Sequence, residues 1–114
     1  MKLIKRGEIY WVDLNPVVGK ETAKTRPALI ISNDYNNEFA GTVTVLPITS
    51  KTDKVYPFEV LIKSANTGLS SDSKIKANQI RTVDKSRLRK LIGKLSHEQM
   101  EAVGKAIMIH LDLE

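Results

Sequence analysis

Ile9-Tyr10-Trp11-Val12-Asp13-Leu14 is a run rich in aromatic and β-branched side chains, bounded by Gly7 before it and Asn15-Pro16 after it, and it reads as a β-strand. Working outward, Ala28-Leu29-Ile30-Ile31-Ser32 is a second strand, opened by Pro27 where a missing N–H is tolerated. Its unbroken apolar run predicts burial on both faces. Thr42-Val43-Thr44-Val45-Leu46 is a third strand, Phe58-Glu59-Val60-Leu61-Ile62-Lys63 alternates as a half-buried strand does, and Ile75 to Ile80 makes a fifth. At the C-terminus the period changes: Met100, Val103, Ile107, Met108 and Leu111 recur at three- and four-residue spacing behind Ser96-His97-Glu98-Gln99, which has the spacing of a capping box. That pattern predicts a helix of about four turns with one apolar stripe. Asp84-Lys85-Ser86-Arg87-Leu88 adds a helical turn. Short strands without long helices between them, then one terminal helix, predict an α+β, mostly β fold: a small antiparallel barrel with a C-terminal helix, in one domain over 1–114. Parallel βαβ architecture is excluded by the missing crossover helices.

Composition agrees with one packed domain. A 12.8 kDa chain has roughly 6,300 Å² of surface folded against roughly 18,600 Å² unfolded, enough burial for one core and not two. Hydrophobic residues at 41% and charged residues at 27% exclude disordered and collagen-like classes. With no cysteine, disulfides, thiolate metal sites and a cysteine nucleophile are all ruled out. No apolar run approaches the roughly 18 residues of a membrane span and Met1 to Arg6 opens no signal peptide, so the expectation is a soluble, cytoplasmic protein without a membrane partner. Of the net charge of +5, residues 74–94 supply +7, from Lys74, Lys76, Arg81, Lys85, Arg87, Arg89, Lys90 and Lys94 against Asp84 alone. Such a cluster is a solvated face or a surface for phosphates or an acidic partner.

The only histidines, His97 and His110, share the terminal helix without a third ligand, so no metal is expected, and no phosphate-binding or serine-hydrolase motif occurs. No cofactor is expected either. Acid/base and electrostatic chemistry by Glu, Arg, Lys and hydroxyls remains. The loop over residues 15–26 is longer than a strand connection needs, as functional loops are, and it carries Lys20, Glu21, Lys24 and Arg26. A carboxylate and a guanidinium there can serve as proton acceptor and phosphate clamp, or simply as an exposed pair. Thr49, just past the third strand, is a hydroxyl donor to phosphate or the residue of a hydroxyl turn.

Taken together, Arg6-Gly7-Glu8-Ile9-Tyr10-Trp11-Val12-Asp13-Leu14-Asn15-Pro16, Gly19-Lys20-Glu21, Thr25-Arg26-Pro27-Ala28-Leu29-Ile30-Ile31-Ser32, Pro47-Ile48-Thr49-Ser50, Tyr56-Pro57-Phe58-Glu59-Val60 and Asn78-Gln79-Ile80-Arg81-Thr82-Val83-Asp84-Lys85 resemble, in order, the motifs of the MazF/PemK (Kid) family of toxins. The resemblance implies an SH3-like barrel homodimer that cleaves single-stranded mRNA at short sequences, without a metal, and is neutralised by a cognate antitoxin. It places the family's arginine on Arg26, its glutamate on Glu21 and its threonine on Thr49, and it implies RNA contacts from Lys20, Lys51, Lys54, Lys76, Asn78, Gln79 and Arg81. A branch of the family with a histidine before the glutamate, and an arginine and an aspartate before the Q-x-R-T motif, has Lys20, Lys76 and Asn78 at those places here. That branch's acid/base assignment does not carry over.

Under this resemblance the ribose 2′-OH attacks its own 3′-phosphate. Glu21 then removes the proton, Arg26 holds the equatorial oxygens bidentately and Thr49 adds a hydrogen bond. A reading of another class is a non-catalytic SH3-like nucleic-acid or peptide module, or a gyrase-poisoning toxin of the same fold. Two further expectations concern surfaces. Apolar strands such as Ala28 to Ile31 and the terminal helix leave surface for a two-fold partner. The Lys74 to Lys94 segment, with Lys20, Lys51 and Lys54, lines a groove for which RNA and an acidic antitoxin tail compete.

Overall fold

The computed structural model describes residues 3–113. Seven strands and two helices follow one another as β1 (Glu8–Asp13), β2 (Thr25–Ile30), α1 (Asp34–Phe39), β3 (Thr42–Thr49), β4 (Glu59–Ile62), β5 (Ser73–Lys76), β6 (Arg81–Asp84), β7 (Leu88–Lys94) and α2 (His97–His110). All pairings are antiparallel, in the order β4-β5-β3-β2-β1-β7, with β6 on β3. The middle strands are buried on both faces, as the apolar run from Ala28 predicts. Ile9, Leu29 and Leu46 point into one core with Ile48, Ile75 and Val103 of α2. Tyr10, Val12, Ala28, Ile30, Val43 and Val45 point into the other, which the curling β6 and β7 close with Val83, Leu88 and Leu91. This period-2 alternation between two cores is what makes a single small sheet wrap into a barrel-like shell.

Two corrections concern the basic segment. The expected fifth strand from Ile75 to Ile80 is broken by a 3-10 turn at Ala77–Gln79, whose buried Ala77 donates its N–H to Phe58 O at 3.2 Å. Because of this turn β5 pairs Ile75 with Ile48 while β6 pairs Arg81 with Val45, a register offset by the turn's three residues. One long β3 thereby carries two successive neighbours on one edge. The second correction is β7 itself: with Arg89, Lys90 and Lys94 it reads as a charged surface, yet it pairs with β1, with register shifts at both Ile9/Tyr10 and Tyr10/Val12. Only a half-buried strand accommodates those cations.

Three other elements follow local chemistry. α1, absent from the sequence reading, is too short for a helical period. Its start is set by Asn33, whose side chain accepts Asn36 N at 2.8 Å, and by buried Asn37, which donates to Ser32 O at 2.8 Å. The turn expected near Asp84 is a 3-10 turn at Lys85–Arg87, capped by the Asp84 carboxylate on Ser86, whose bonds also hold that carboxyl below its ordinary range. α2 has the expected capping box, with Ser96 Oγ accepting Gln99 N at 3.1 Å and Gln99 Oε1 accepting Ser96 N at 2.8 Å.

The sheet is an open path, since no ladder joins β4 to β7 among the described residues. Its ends meet instead through two glycines. A Cβ on Gly93 of β7 would lie 1.9 Å from Thr67 O, and one on Gly68 (φ +85°) would lie 2.2 Å from Ile92 O. Backbone therefore touches backbone where the loop after β4 crosses β7, a contact that only glycine permits. Among the described residues no helix is long and apolar enough to cross a membrane.

Candidate functional site

The crossing of that loop over β7 walls a cleft of about 310 Å³, lined by Trp11, Arg26, Ile48, Ser50, Leu69 and Ser71 among others. Arg26 belongs to β2 rather than to the preceding loop, opposite Val12 of β1. It is half-buried, and among the described residues its one hydrogen bond runs from Nε to Ala23 O at 2.9 Å. Fixing Nε aims the guanidinium while leaving its two terminal nitrogens for a ligand. Thr49 is likewise the last residue of β3, not past it. β2 and β3 pair Ala28 with Pro47, and that register carried two residues on sets Arg26 across from Thr49. Both then share the face of the second core, beyond its apolar edge. Thr49 Oγ1 accepts Lys51 N at 3.2 Å, a hydroxyl turn that leaves the O–H free to donate.

The connection between β1 and β2 is a closed loop. Leu14 N donates to Lys24 O at 3.0 Å, Lys24 N to Asn15 Oδ1 at 3.1 Å, and Lys24 takes a left-handed φ of +69°. Such a neck makes the loop a compact flap. The flap reaches across to the 3-10 turn, where Thr22 N donates to Gln79 Oε1 at 3.2 Å and Lys76 Nζ donates to Thr22 Oγ1 at 3.4 Å. Lys76 and Gln79 are thus tied to the flap through Thr22, Arg26 meets it through Ala23 O, and Thr49 stands across from Arg26.

Lys20 and Glu21 make no side-chain hydrogen bond to this group among the described residues. Both are exposed on the flap's tip, where Glu21 Oε1 accepts Val18 N at 2.5 Å in a local turn. Asn78, between Lys76 and Gln79, has a buried Oδ1 without a hydrogen bond among the described residues. Lys51 is exposed, and Lys54 places its ammonium 5.3 Å from the centre of the Tyr56 ring.

The expected continuous basic groove is corrected. Arg81 Nη1 holds Leu14 O at 2.9 Å, Arg87 Nη1 bonds the carbonyls of Asp13 and Asn15, and Arg89 pairs with Asp13 at 3.4 Å. These guanidinia anchor the neck of the flap, Arg81 and Arg87 on its carbonyls and Arg89 on the Asp13 carboxylate, because a guanidinium offers several donors in a fork. Lys74 is buried against Glu59 at 2.9 Å, so it too is withdrawn from the surface. The cleft's Ser50 and Ser71, and Thr22 on the flap, escaped the sequence reading because a lone hydroxyl residue carries no spacing signal. Among the described residues no three His, Asp or Glu side chains converge as metal ligands do.

A small antiparallel shell backed by one C-terminal helix, with an arginine and a threonine across neighbouring strands, defines the class. Residues 5–111 match the PemK-like, MazF-like toxins of type II toxin-antitoxin systems. The chain is 43% identical over 116 residues to endoribonuclease MazF9 of Mycobacterium tuberculosis, covering 97% of this chain and 98% of the relative. It is also 43% identical over 112 residues to endoribonuclease EndoA of Bacillus subtilis, covering 97% of each. The crystal structure of MazF from Deinococcus radiodurans superposes with a TM-score of 0.86 at 25% identity, over 99% of this chain and 100% of that one. The chain belongs to the PemK-like, MazF-like toxin family.

Proposed function

We propose that the chain is an endoribonuclease toxin, held in check by a cognate antitoxin, that cuts single-stranded mRNA in the cytoplasm without a metal. The observation that carries this reading is Arg26: half-buried at the start of β2 across from Thr49, aimed by its Nε bond, with both terminal nitrogens uncommitted among the described residues. A planar two-pronged cation is suited to the equatorial oxygens of a pentacoordinate phosphorus. The 2′-oxygen forms a bond to phosphorus as the 5′-oxygen leaves and takes a proton from water, giving a 2′,3′-cyclic phosphate and a 5′-hydroxyl. Glu21, the only carboxylate of the flap, takes the 2′-OH proton, and Thr49 donates to a phosphate oxygen. RNA entering beneath the flap exchanges with Thr22 for Lys76 and Gln79, while the buried Asn78 Oδ1 offers an acceptor to a base edge and Lys20, Lys51 and Lys54 meet phosphates.

Incubation with a labelled single-stranded RNA in EDTA is expected to give fragments ending in cyclic phosphate, and the 2′-deoxy counterpart is expected to stay whole. An intact RNA, or a cut deoxy strand, overturns the reading.

The same chain is a homodimer in this proposal, through the terminal helix and not the apolar strands, of the two surfaces expected. Ala28, Leu29 and Ile30 are wholly buried between the two cores, so β2 offers a partner nothing. The end of α2 does, exposing Met108, Ile109, Leu111 and Leu113 together. Light scattering at micromolar concentration is expected to return twice the chain mass; a monomer mass overturns it.

A further inference from the structure

Lys74 is a buried cation that the proposed chemistry does not use. Its ammonium donates to Glu59 Oε1 at 2.9 Å and to Lys54 O at 2.6 Å, and it lies 5.9 Å from the centre of the Tyr56 ring. Glu59 Oε1 also accepts Tyr56 N at 2.9 Å, and Glu59 N donates to Tyr56 O at 2.8 Å. Lys54 and Tyr56 of the β3–β4 loop and Glu59, the first residue of β4, therefore converge on one ammonium. At its other end the same loop is fixed by Lys51 N on Thr49 Oγ1, and Thr49 is the direct cross-strand partner of Lys74. Both ends of the loop are thus tied to a single rung of the sheet, two residues along the β2–β3 register from Ala28 and Pro47.

A lysine with its charge neutralised by a buried carboxylate and a carbonyl has little field left for a phosphate. What it controls is where the loop stands. Lys51 and Lys54 hang from that loop, and an exposed lysine contributes to binding only as far as its backbone holds it near the ligand. We infer that Lys74 is a positioning residue for RNA cleavage: its buried ammonium, through Glu59 and the Lys54 carbonyl, holds the β3–β4 loop so that Lys51 and Lys54 meet the substrate beside Thr49. The inference rests on the function proposed above.

The test uses Lys74→Met combined with Glu59→Gln, which removes both charges together and avoids the unpaired buried carboxylate that Lys74→Met alone leaves. Two readouts are compared with the wild type. Trypsin cleaves after Lys54 by attacking the very carbonyl that Lys74 holds, so nicking of the Lys54–Val55 bond is expected to rise about tenfold as the loop opens. For RNA cleavage KM is expected to rise about tenfold, the loss of one well-placed charge-assisted contact, while kcat stays within about threefold because Arg26 and Thr49 sit on strands. A merely structural role would alter the thermal midpoint without splitting KM from kcat. Unchanged nicking overturns the tie, and raised nicking with an unchanged KM overturns its bearing on RNA. A wild type that cuts no RNA brings down the proposed function and this inference with it, whereas an active wild type with an unaltered variant brings down this inference alone.

Discussion

Arg26→Ala is expected to lower kcat for RNA cleavage by about 100-fold or more, the scale of removing one preorganised donor, while the fold and antitoxin binding persist. Charge on the phosphoryl oxygens grows only as the 2′-oxygen attacks. A cation aimed beforehand at that position stabilises the transition state more than the ground state, which is why kcat and not KM takes most of the loss. The structure supports the fold's persistence: among the described residues the side chain makes a single hydrogen bond, to Ala23 O, so its removal opens no core. Arg26→Lys keeps the charge and loses the fork, and it is expected to recover activity only in part. Lys105→Ala, on α2 and outside the cleft, removes the same unit of charge and is expected to leave kcat unchanged. Wild-type turnover by Arg26→Ala at saturating RNA would make this arginine a surface residue and end the proposed mechanism.

How far such a site shows in a sequence depends on whether its residues announce themselves by periodicity. β1, β2 and β3 did so, because each carries the consecutive apolar side chains that a two-sided core requires. α2 did so through its 3.6-residue stripe and its capping box. β7 did not: four of its seven positions, Arg89, Lys90, Gly93 and Lys94, carry no apolar side chain, and its place is set by a distant partner, β1. The break at Ala77–Gln79 was hidden for another reason. Extended residues flank it on both sides, and only the three-residue register offset between β5 and β6 along β3 demands a turn there. In the candidate site, Arg26 and Thr49 stood out as candidates by residue type but were placed in loops and not on strands. A residue beside Pro27 or after Ile48 reads as loop, whereas the ladder extends β2 back to Thr25 and β3 on to Thr49. The Lys74–Glu59 pair was illegible. It depends on a β4–β5 register that pairs Leu61 with Lys74 and sets Glu59 diagonally beside it, and no local spacing encodes that register.

Gly93→Ala is expected to destabilise the chain by about 3 kcal/mol, the upper range for an overpacked site, and to lower the thermal midpoint by about 10 °C. The added methyl has no volume to enter. It would stand 1.9 Å from Thr67 O and 2.7 Å from Thr67 C, so backbone must move. Thr67 cannot easily yield: it is buried, its hydroxyl donates to Ser64 O at 2.7 Å and accepts Leu69 N at 3.2 Å, and its own N–H donates to Ser64 O at 3.2 Å. Nor can β7 retreat, because Gly93 pairs with Ile9, which has no exposed surface. Glycine-to-alanine in itself carries the opposite sign where space and dihedrals permit. Gly104 lies inside α2 with nothing within 4 Å of a new Cβ, and Gly104→Ala is expected to stabilise by about 0.5–1 kcal/mol through helix propensity. The first variant drives a methyl into backbone and the second adds one to an open helix position, so calorimetry on the pair shows the opposite signs that the crossing contact and helix propensity predict. If Gly93→Ala melts with the wild type, the loop after β4 shifts freely and does not hold the open sheet shut. If it melts lower as expected, the Gly68 and Ile92 wall of the cleft shifts with it, and RNA cleavage by Gly93→Ala well below its midpoint should fall as well.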